Sequence, residues 1–441
     1  MKDLLAPLST RPTAVRTGAA ALACAIALAA VATATVATAQ AAPVSAHAMV
    51  HTCCTPQAEK ERIFAEAKAL GAAYVRADVE LDGIYVGRGS DPDWGRLDDV
   101  IALSRKYRLP VLAILVVPNW YADAEEFGLR AGEIAAHAGA AIDHWEILNE
   151  PDGDWAFHGS AEDYARILSA AHDAIKARVP GAQVVMGGLL EPNRTAWLER
   201  VFATPGADAL HKFDIANVHL RGNVDAVVHR YREFGSWLAS RGFHGPLWVT
   251  EHGYPADPVF QIDRDFAGGE RTQGAYLTQS LVGLGEAGVD QVFVTLHDGG
   301  LQGPYATEGL ERIGGPPDFA VTRRPAFAAV RRVVDDWDEL LAWRREQREN
   351  ELAMEADLAA SAASAAEAEA ARGPYREARR AVRGLGRSRP DSRIAQARAL
   401  LAGRHTALLW HTAVARWQRD RAAERGRVVA ALERRIAGPG G

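Results

Sequence analysis

Cysteine is scarce in this chain: three among 441 residues, and two of them, Cys53 and Cys54, are adjacent. A small secreted scaffold stapled by disulfides needs cysteines spread along the sequence, so that class is excluded. Adjacent cysteines are also poor tetrahedral ligands without distant help, and although His51 stands beside them, no metal is expected there. In an oxidising compartment the pair has three fates: a vicinal disulfide, a bond to a partner, or two free thiols. No glycine-rich phosphate turn follows the first predicted strand, which argues against a doubly wound nucleotide-binding sheet, and no cofactor is expected. The net charge of −6 is too mild to name a partner.

Charge is unevenly placed, however. After Gly373 there are sixteen arginines against five acidic residues, so the body that precedes this tail is clearly acidic. At the other end, Lys2, Arg11 and Arg16 form a basic start, residues 18–39 are apolar and rich in small side chains, and Ala39-Gln40-Ala41 supplies an A-x-A cleavage site. We read residues 1–41 as a signal peptide. An uncleaved anchor is the alternative, because a stretch of about 20 residues reaches across a bilayer; the alanine and threonine content favours cleavage and export.

From residue 46 onward strands and helices alternate. Strands are predicted over 46–51, 73–78, 111–117, 144–149, 183–188, 213–219, 247–252 and 291–297. Helices are predicted over 56–70, 93–107, 123–137, 161–178, 195–202, 224–241, 271–287 and 323–343. Eight strands, each followed by a helix, fit an α/β fold of the (β/α)8 TIM-barrel type over residues 42–343. Beyond it, residues 344–441 read as a basic α-helical hairpin or small bundle. Gly373-Pro374 is expected to break its first helix, and Leu400, Leu409, Trp417, Leu432 and Ile436 belong to an apolar stripe on its second.

Two strand ends carry chemistry. His144-Trp145-Glu146-Ile147-Leu148-Asn149-Glu150-Pro151 is a strand that stops in a polar pair, with Pro151 forbidding continuation of the ladder. Leu247-Trp248-Val249-Thr250-Glu251-His252-Gly253-Tyr254-Pro255 ends the same way about a hundred residues later. By position these are strands four and seven, and in a barrel both carboxylates reach the same mouth.

The pair of motifs resembles the clan A retaining glycoside hydrolases, closest to the family 39-like and family 5-like cellulase-core barrels, over about residues 45 to 343. The resemblance implies that Glu150 is the general acid/base, that Glu251 is the nucleophile, and that Asn149 binds the sugar 2-hydroxyl. It also implies carboxyl groups roughly 5–5.5 Å apart and a split titration, Glu251 ionised while Glu150 keeps its proton. Arg76, at the end of strand two, matches the arginine that these enzymes place beside the nucleophile; pairing with the structural acid Glu146 is the other reading, since alternation points Glu146 away from Asn149.

This chain also departs from the resembled pattern. Strand six ends in His219-Leu220-Arg221 where relatives often have His-x-Tyr, so His219 is kept as a substrate contact and the tyrosine is missing. Strand eight offers Thr295-Leu296-His297-Asp298 in place of a tryptophan, leaving His297 as the candidate contact there. Trp120, Tyr121, Trp155 and Tyr254 lie on strand-end loops as candidate sugar-stacking faces. Cys53-Cys54, after strand one, should sit at the same mouth.

The implied activity is a secreted retaining glycosidase that cleaves β-glycosidic bonds of a polysaccharide or oligosaccharide. A carbohydrate-binding or envelope scaffold protein on the same barrel is the alternative. The basic C-terminal helices are either a contact for the cell envelope or an anionic polymer, or a solvated helical pair. Nucleic acid is not expected as a partner of an exported protein with an acidic body.

Overall fold

Short runs of valine, alanine, isoleucine and leucine, too brief for helices and apolar on both faces, build the centre of this molecule. The computed structural model describes residues 42–85, 90–116, 123–298, 303–314, 320–384 and 391–438. In chain order its main elements are β1 (Val44–His51), α1 (Gln57–Leu70), β2 (Val75–Glu80), α2 (Gly95–Tyr107), β3 (Val111–Val116), α3 (Ala124–Ala138) and β4 (His144–Ile147). They continue as α4 (Ala161–Arg178), β5 (Gln183–Met186), α5 (Thr195–Phe202), β6 (Ala216–Leu220), α6 (Val224–Ser240), β7 (Leu247–His252), α7 (Glu270–Glu286) and β8 (Gln291–Thr295). A small antiparallel ribbon, β9 (Glu311–Ile313) with β10 (Val321–Arg323), then leads to α8 (Pro325–Asp335), α9 (Trp337–Gly384) and α10 (Asp391–Ala437).

The eight long strands pair in parallel in the order β5-β4-β3-β2-β1-β8-β7-β6. Parallel bridges Val185–Ile215 and Leu189–Val218 then join the β5 side to the β6 side, so the sheet curls into the expected (β/α)8 barrel. Leu112, Val185, Ile215, Trp248 and Phe293, with Tyr74 beside them, plug the N-terminal end of the barrel interior. The larger apolar core lies between strands and helices, from Val44 and Phe64 to Leu281 and Val330. An interior plugged at one end leaves the C-terminal end of the strands as the place for a cavity.

The strands are not regular throughout. On β7 the register slips: Val218 faces Val249, but His219 faces Glu251. This β-bulge at Thr250 turns both Thr250 and Glu251 inward while His252 goes outward to Ser280 on α7. On β4 a comparable break comes from Leu148 and Glu150, which take positive φ of 63° and 43°. Non-glycine residues rarely adopt that conformation, and its cost is borne where a side chain must be re-aimed.

The last two helices form an antiparallel pair, held by Tyr375 stacked on His405, Glu367 with His411 and Asp357 with Arg425. The expected break at Gly373-Pro374 does not occur: α9 runs through Pro374. Proline removes one helical hydrogen bond, and here α10 packs alongside to hold the helix on course. The apolar stripe divides: Leu432 and Ile436 are buried near the barrel, whereas Leu400, Leu409 and Trp417 are exposed. The hairpin is seated on α7, where a Cβ on Gly285 would lie 2.3 Å from Trp337 and Glu286 pairs with Arg344 and Arg348. The expected export segment lies outside the described residues.

Candidate active site

The cavity at the C-terminal end of the barrel has a volume of about 650 Å³. Glu150, Glu251, Asn149, Arg76 and Trp155 all line it. Glu150 follows the left-handed Leu148, and its backbone N–H is tied to the carbonyl of Gly188 at 3.1 Å. Glu251 is brought inward by the β7 bulge. One oxygen of each carboxylate and a ring nitrogen of His219 lie within 4.8 Å of one another.

His219 joins the two acids. Its Nδ1 is 2.6 Å from Glu150 Oε1 and 3.6 Å from Glu251 Oε2. Its Nε2 is 3.2 Å from the hydroxyl of Thr250, which itself donates to Asn217 Oδ1 at 2.9 Å. With its hydrogen committed, the Thr250 oxygen accepts from Nε2–H, and in the neutral ring this leaves the Nδ1 lone pair facing Glu150. Glycine makes the arrangement possible: a Cβ on Gly188 would sit 2.2 Å from His219 Nε2. His219 itself is buried behind Glu150 and does not line the cavity.

Arg76 serves both readings of the sequence at once. Its Nε and Nη2 donate to Glu146 at 2.9 and 2.8 Å, Nη1 donates to Glu251 Oε1 at 2.8 Å, and Nη2 donates to Asn149 Oδ1 at 2.8 Å. Alternation had placed Glu146 and Asn149 on opposite faces; the left-handed turn at Leu148 breaks it and brings both to one guanidinium. Because Asn149 Oδ1 accepts from Arg76, its amide NH₂ is the group offered to the cavity.

Burial works against a charge on Glu251, but His219, His47, Arg76 and Arg221 around it more than offset this and hold its carboxyl well below the usual range. Of these only the two arginines carry a permanent charge, since His47 is itself pushed down to about 3, chiefly by burial. Arg221 Nη2 donates to Glu251 Oε2 at 3.1 Å. Glu251 is therefore held ionised.

Two expected sugar contacts lie elsewhere. Tyr254 is buried, stacked on Tyr276 with ring centroids 3.7 Å apart, and its hydroxyl donates to the Asp263 carbonyl. Its aromatic face is consumed by core packing. His297 is buried too, with Nε2 2.6 Å from the Ala48 carbonyl, and stands behind β1 rather than on the cavity wall. Trp120 and Tyr121 lie outside the described residues. Trp155, 67% exposed, does stand at the rim, as does Tyr305, at 39%.

Sequence reasoning missed several wall residues. His47 and Met49 come from β1, two residues apart and so on one face by alternation, although Met49 takes a φ of 44° beside a register shift. Asp78 and Glu80 come from the end of β2, and they pinch His51, whose Nδ1 lies 3.1 and 2.9 Å from their oxygens. Tyr305 and Glu308 belong to the loop after β8, which carries no strand-end motif. Cys53 and Cys54 are joined by a disulfide in the loop after β1. They are not among the residues lining the cavity; the Cys53 N–H instead donates to Glu80 Oε2 at 3.1 Å.

No protein-family model and no curated protein sequence matches this chain. Solved structures do share its fold. A family 39 glycoside hydrolase from Bacteroides cellulosilyticus WH2 superposes with a TM-score of 0.51 at 15% identity, over 65% of this chain and 63% of that one. A variant of GH5_18 from Streptomyces cattleya, in complex with Manβ1-4GlcNAc, gives a TM-score of 0.51 at 15% identity, over 66% of this chain and 81% of that one. The barrel thus resembles those of the clan A glycoside hydrolases, as the two strand ends predict, and at this identity the likeness is one of fold.

Proposed function

We propose that this protein is a retaining glycoside hydrolase acting on β-linked poly- or oligosaccharides. The observation that carries the reading is the pairing of Glu150 and Glu251, with oxygens within 4.8 Å of each other across His219, on the wall of a cavity. Two carboxylates facing one cavity at close range are what a double displacement uses, one as nucleophile and one as acid/base.

In the first step an oxygen of Glu251 gives its electron pair to the anomeric carbon. The bond from that carbon to the leaving oxygen breaks, and the leaving oxygen takes the proton held by Glu150. In the second step the Glu150 carboxylate removes a proton from water, whose oxygen bonds to the anomeric carbon while the bond to Glu251 breaks and its electron pair returns. His219, with its tautomer set by Thr250, places its Nδ1 against Glu150 Oε1 and fixes the direction of that carboxyl group. Asn149 offers its NH₂ to the sugar 2-hydroxyl, and Trp155 and Tyr305 supply flat apolar faces at the rim.

The N-terminal segment supports export, and the basic C-terminal helices support contact with an envelope or an anionic polymer. Release of reducing ends by the full protein across β-glucans, xylans, mannans and bacterial exopolysaccharides, with Glu251→Gln alongside, tests the activity. Release that vanishes in the variant supports a glycosidase; silence on every glycan with the fold intact moves the reading to a carbohydrate-binding barrel.

A further inference from the structure

One cation in the cavity has no counterpart in the resembled pattern. Where relatives often carry His-x-Tyr at the end of strand six, this chain has His219-Leu220-Arg221. The Arg221 side chain is three-quarters buried and reaches the oxygen of Glu251 that Arg76 leaves open: Arg76 holds Oε1 at 2.8 Å and Arg221 Nη2 holds Oε2 at 3.1 Å. Its Nε donates to both oxygens of Glu308, at 3.0 and 3.1 Å, and its guanidinium lies over the Tyr305 ring, 4.8 Å from the centroid.

The surrounding chain is built to hold this contact. Glu308 is buried against the turn after β7, and a Cβ on Gly253 would fall 2.8 Å from Glu308 Oε2. A larger residue at 253 would displace Glu308 and with it the partner that fixes Arg221. The glycine of the Glu251-His252-Gly253 stretch therefore has a structural reason that the motif alone does not reveal.

We propose that Arg221, braced by Glu308, is a positioning residue that fixes Glu251 Oε2 with a full positive charge and eases departure of the sugar from Glu251 in the second step. The proposal rests on the hydrolase reading above. When the bond from Glu251 to the anomeric carbon breaks, the electron pair returns to the carboxylate, and a guanidinium already in place stabilises that returning charge. The same cation makes Glu251 less basic, so it slows attack while hastening release. Glu308 tempers the effect by sharing the Arg221 charge. Burial pushes the Glu308 carboxyl up, and Arg221 opposes that push.

Removing Arg221 and removing the charge of Glu308 should therefore move Glu251 in opposite directions, which loss of packing alone would not do. The test uses full-length protein carrying Arg221→Gln, Arg221→Lys or Glu308→Gln, labelled with ¹³C at the glutamate side-chain carboxyl. The Glu251 signal is assigned by its loss in Glu251→Gln. We expect Arg221→Gln to raise the Glu251 titration by about one pH unit or more, as loss of an adjacent cation requires. Arg221→Lys should stay nearer the wild type, and Glu308→Gln should move the titration down.

In turnover, Arg221→Gln should accumulate the glycosyl-enzyme, seen as a burst of leaving group before a slower steady state. An unmoved Glu251 signal in folded Arg221→Gln, or shifts of the same sign in Arg221→Gln and Glu308→Gln, would overturn the proposal. If Arg221→Gln does not fold, an unmoved signal in Glu308→Gln overturns it instead. A wild-type protein inactive on every glycan would remove the hydrolase reading, while the titration would still decide whether Arg221 sets the charge of Glu251.

Discussion

Arg76 and Glu146 form a buried fork, with guanidinium Nε and Nη2 donating to the two carboxylate oxygens at 2.9 and 2.8 Å, and the remaining Nη1 reaches Glu251. One cation thus couples a carboxylate of the barrel interior to a carboxylate of the cavity. Arg76→Met would leave the fully buried Glu146 carboxyl without its cation, at a cost of about 3–5 kcal/mol. The double variant Arg76→Met with Glu146→Leu should regain much of that stability but not the activity, because Glu251 still lacks its Oε1 partner. Urea unfolding and turnover on the same samples separate the two effects; recovery of turnover in the double variant would show that Arg76 matters only to the fold.

Thr250 acts on Glu150 through His219. Thr250→Val removes the acceptor of Nε2–H, and Thr250→Ser keeps it. We expect Thr250→Val to lower kcat by about tenfold or more for substrates with poor leaving groups, which need Glu150's proton, and far less for activated aryl glycosides. Thr250→Ser should stay close to wild type. Equal losses on both substrate types would contradict a role through the acid.

The hydrogen bonds of His51 to Asp78 and then Glu80 raise its pKa to about 10, against 6.5 for the free side chain. A raised pKa stabilises the fold in full below about 6.5, and the contribution is lost as pH climbs through about 10. The Tm gap between wild type and His51→Gln should therefore be widest at pH 6, shrink above neutrality and close above pH 10. A gap that widens with rising pH would contradict the assigned charge.

Trp155 and Tyr305 are the exposed aromatic faces of the cavity. Trp155→Ala should raise KM about tenfold, equivalent to about 1.4 kcal/mol of binding, with a smaller change in kcat. Tyr254→Phe, by contrast, should leave KM alone, because that ring is packed on Tyr276 away from the cavity. A larger KM effect at Tyr254 than at Trp155 would reverse the assignment.

Eight apolar runs separated by amphipathic segments specify the barrel, because buried parallel strands and their covering helices leave periodic traces. Glu150 and Glu251 were legible because each closes a strand with a polar break. Their aim was not, since it depends on a left-handed Leu148 and a bulge at Thr250 that alternation does not announce. Tyr254 and His297 look like site residues by position, yet their side chains turn into the core. Glu308 and Tyr305 come from a loop with no motif, and only the folded chain brings them to Arg221. Pro374 reads as a helix break, but packing against α10 carries the helix through it.

The central claim is that Glu251 bonds covalently to the sugar. The most direct measurement is mass spectrometry of the protein after exposure to a panel of activated 2-fluoro glycosides, which slow release of the sugar more than its attachment. One added glycosyl group is expected on the peptide containing Glu251, absent in Glu251→Gln. A label on another residue, or an active enzyme whose first product has the inverted anomeric configuration and which never carries a label, would contradict it.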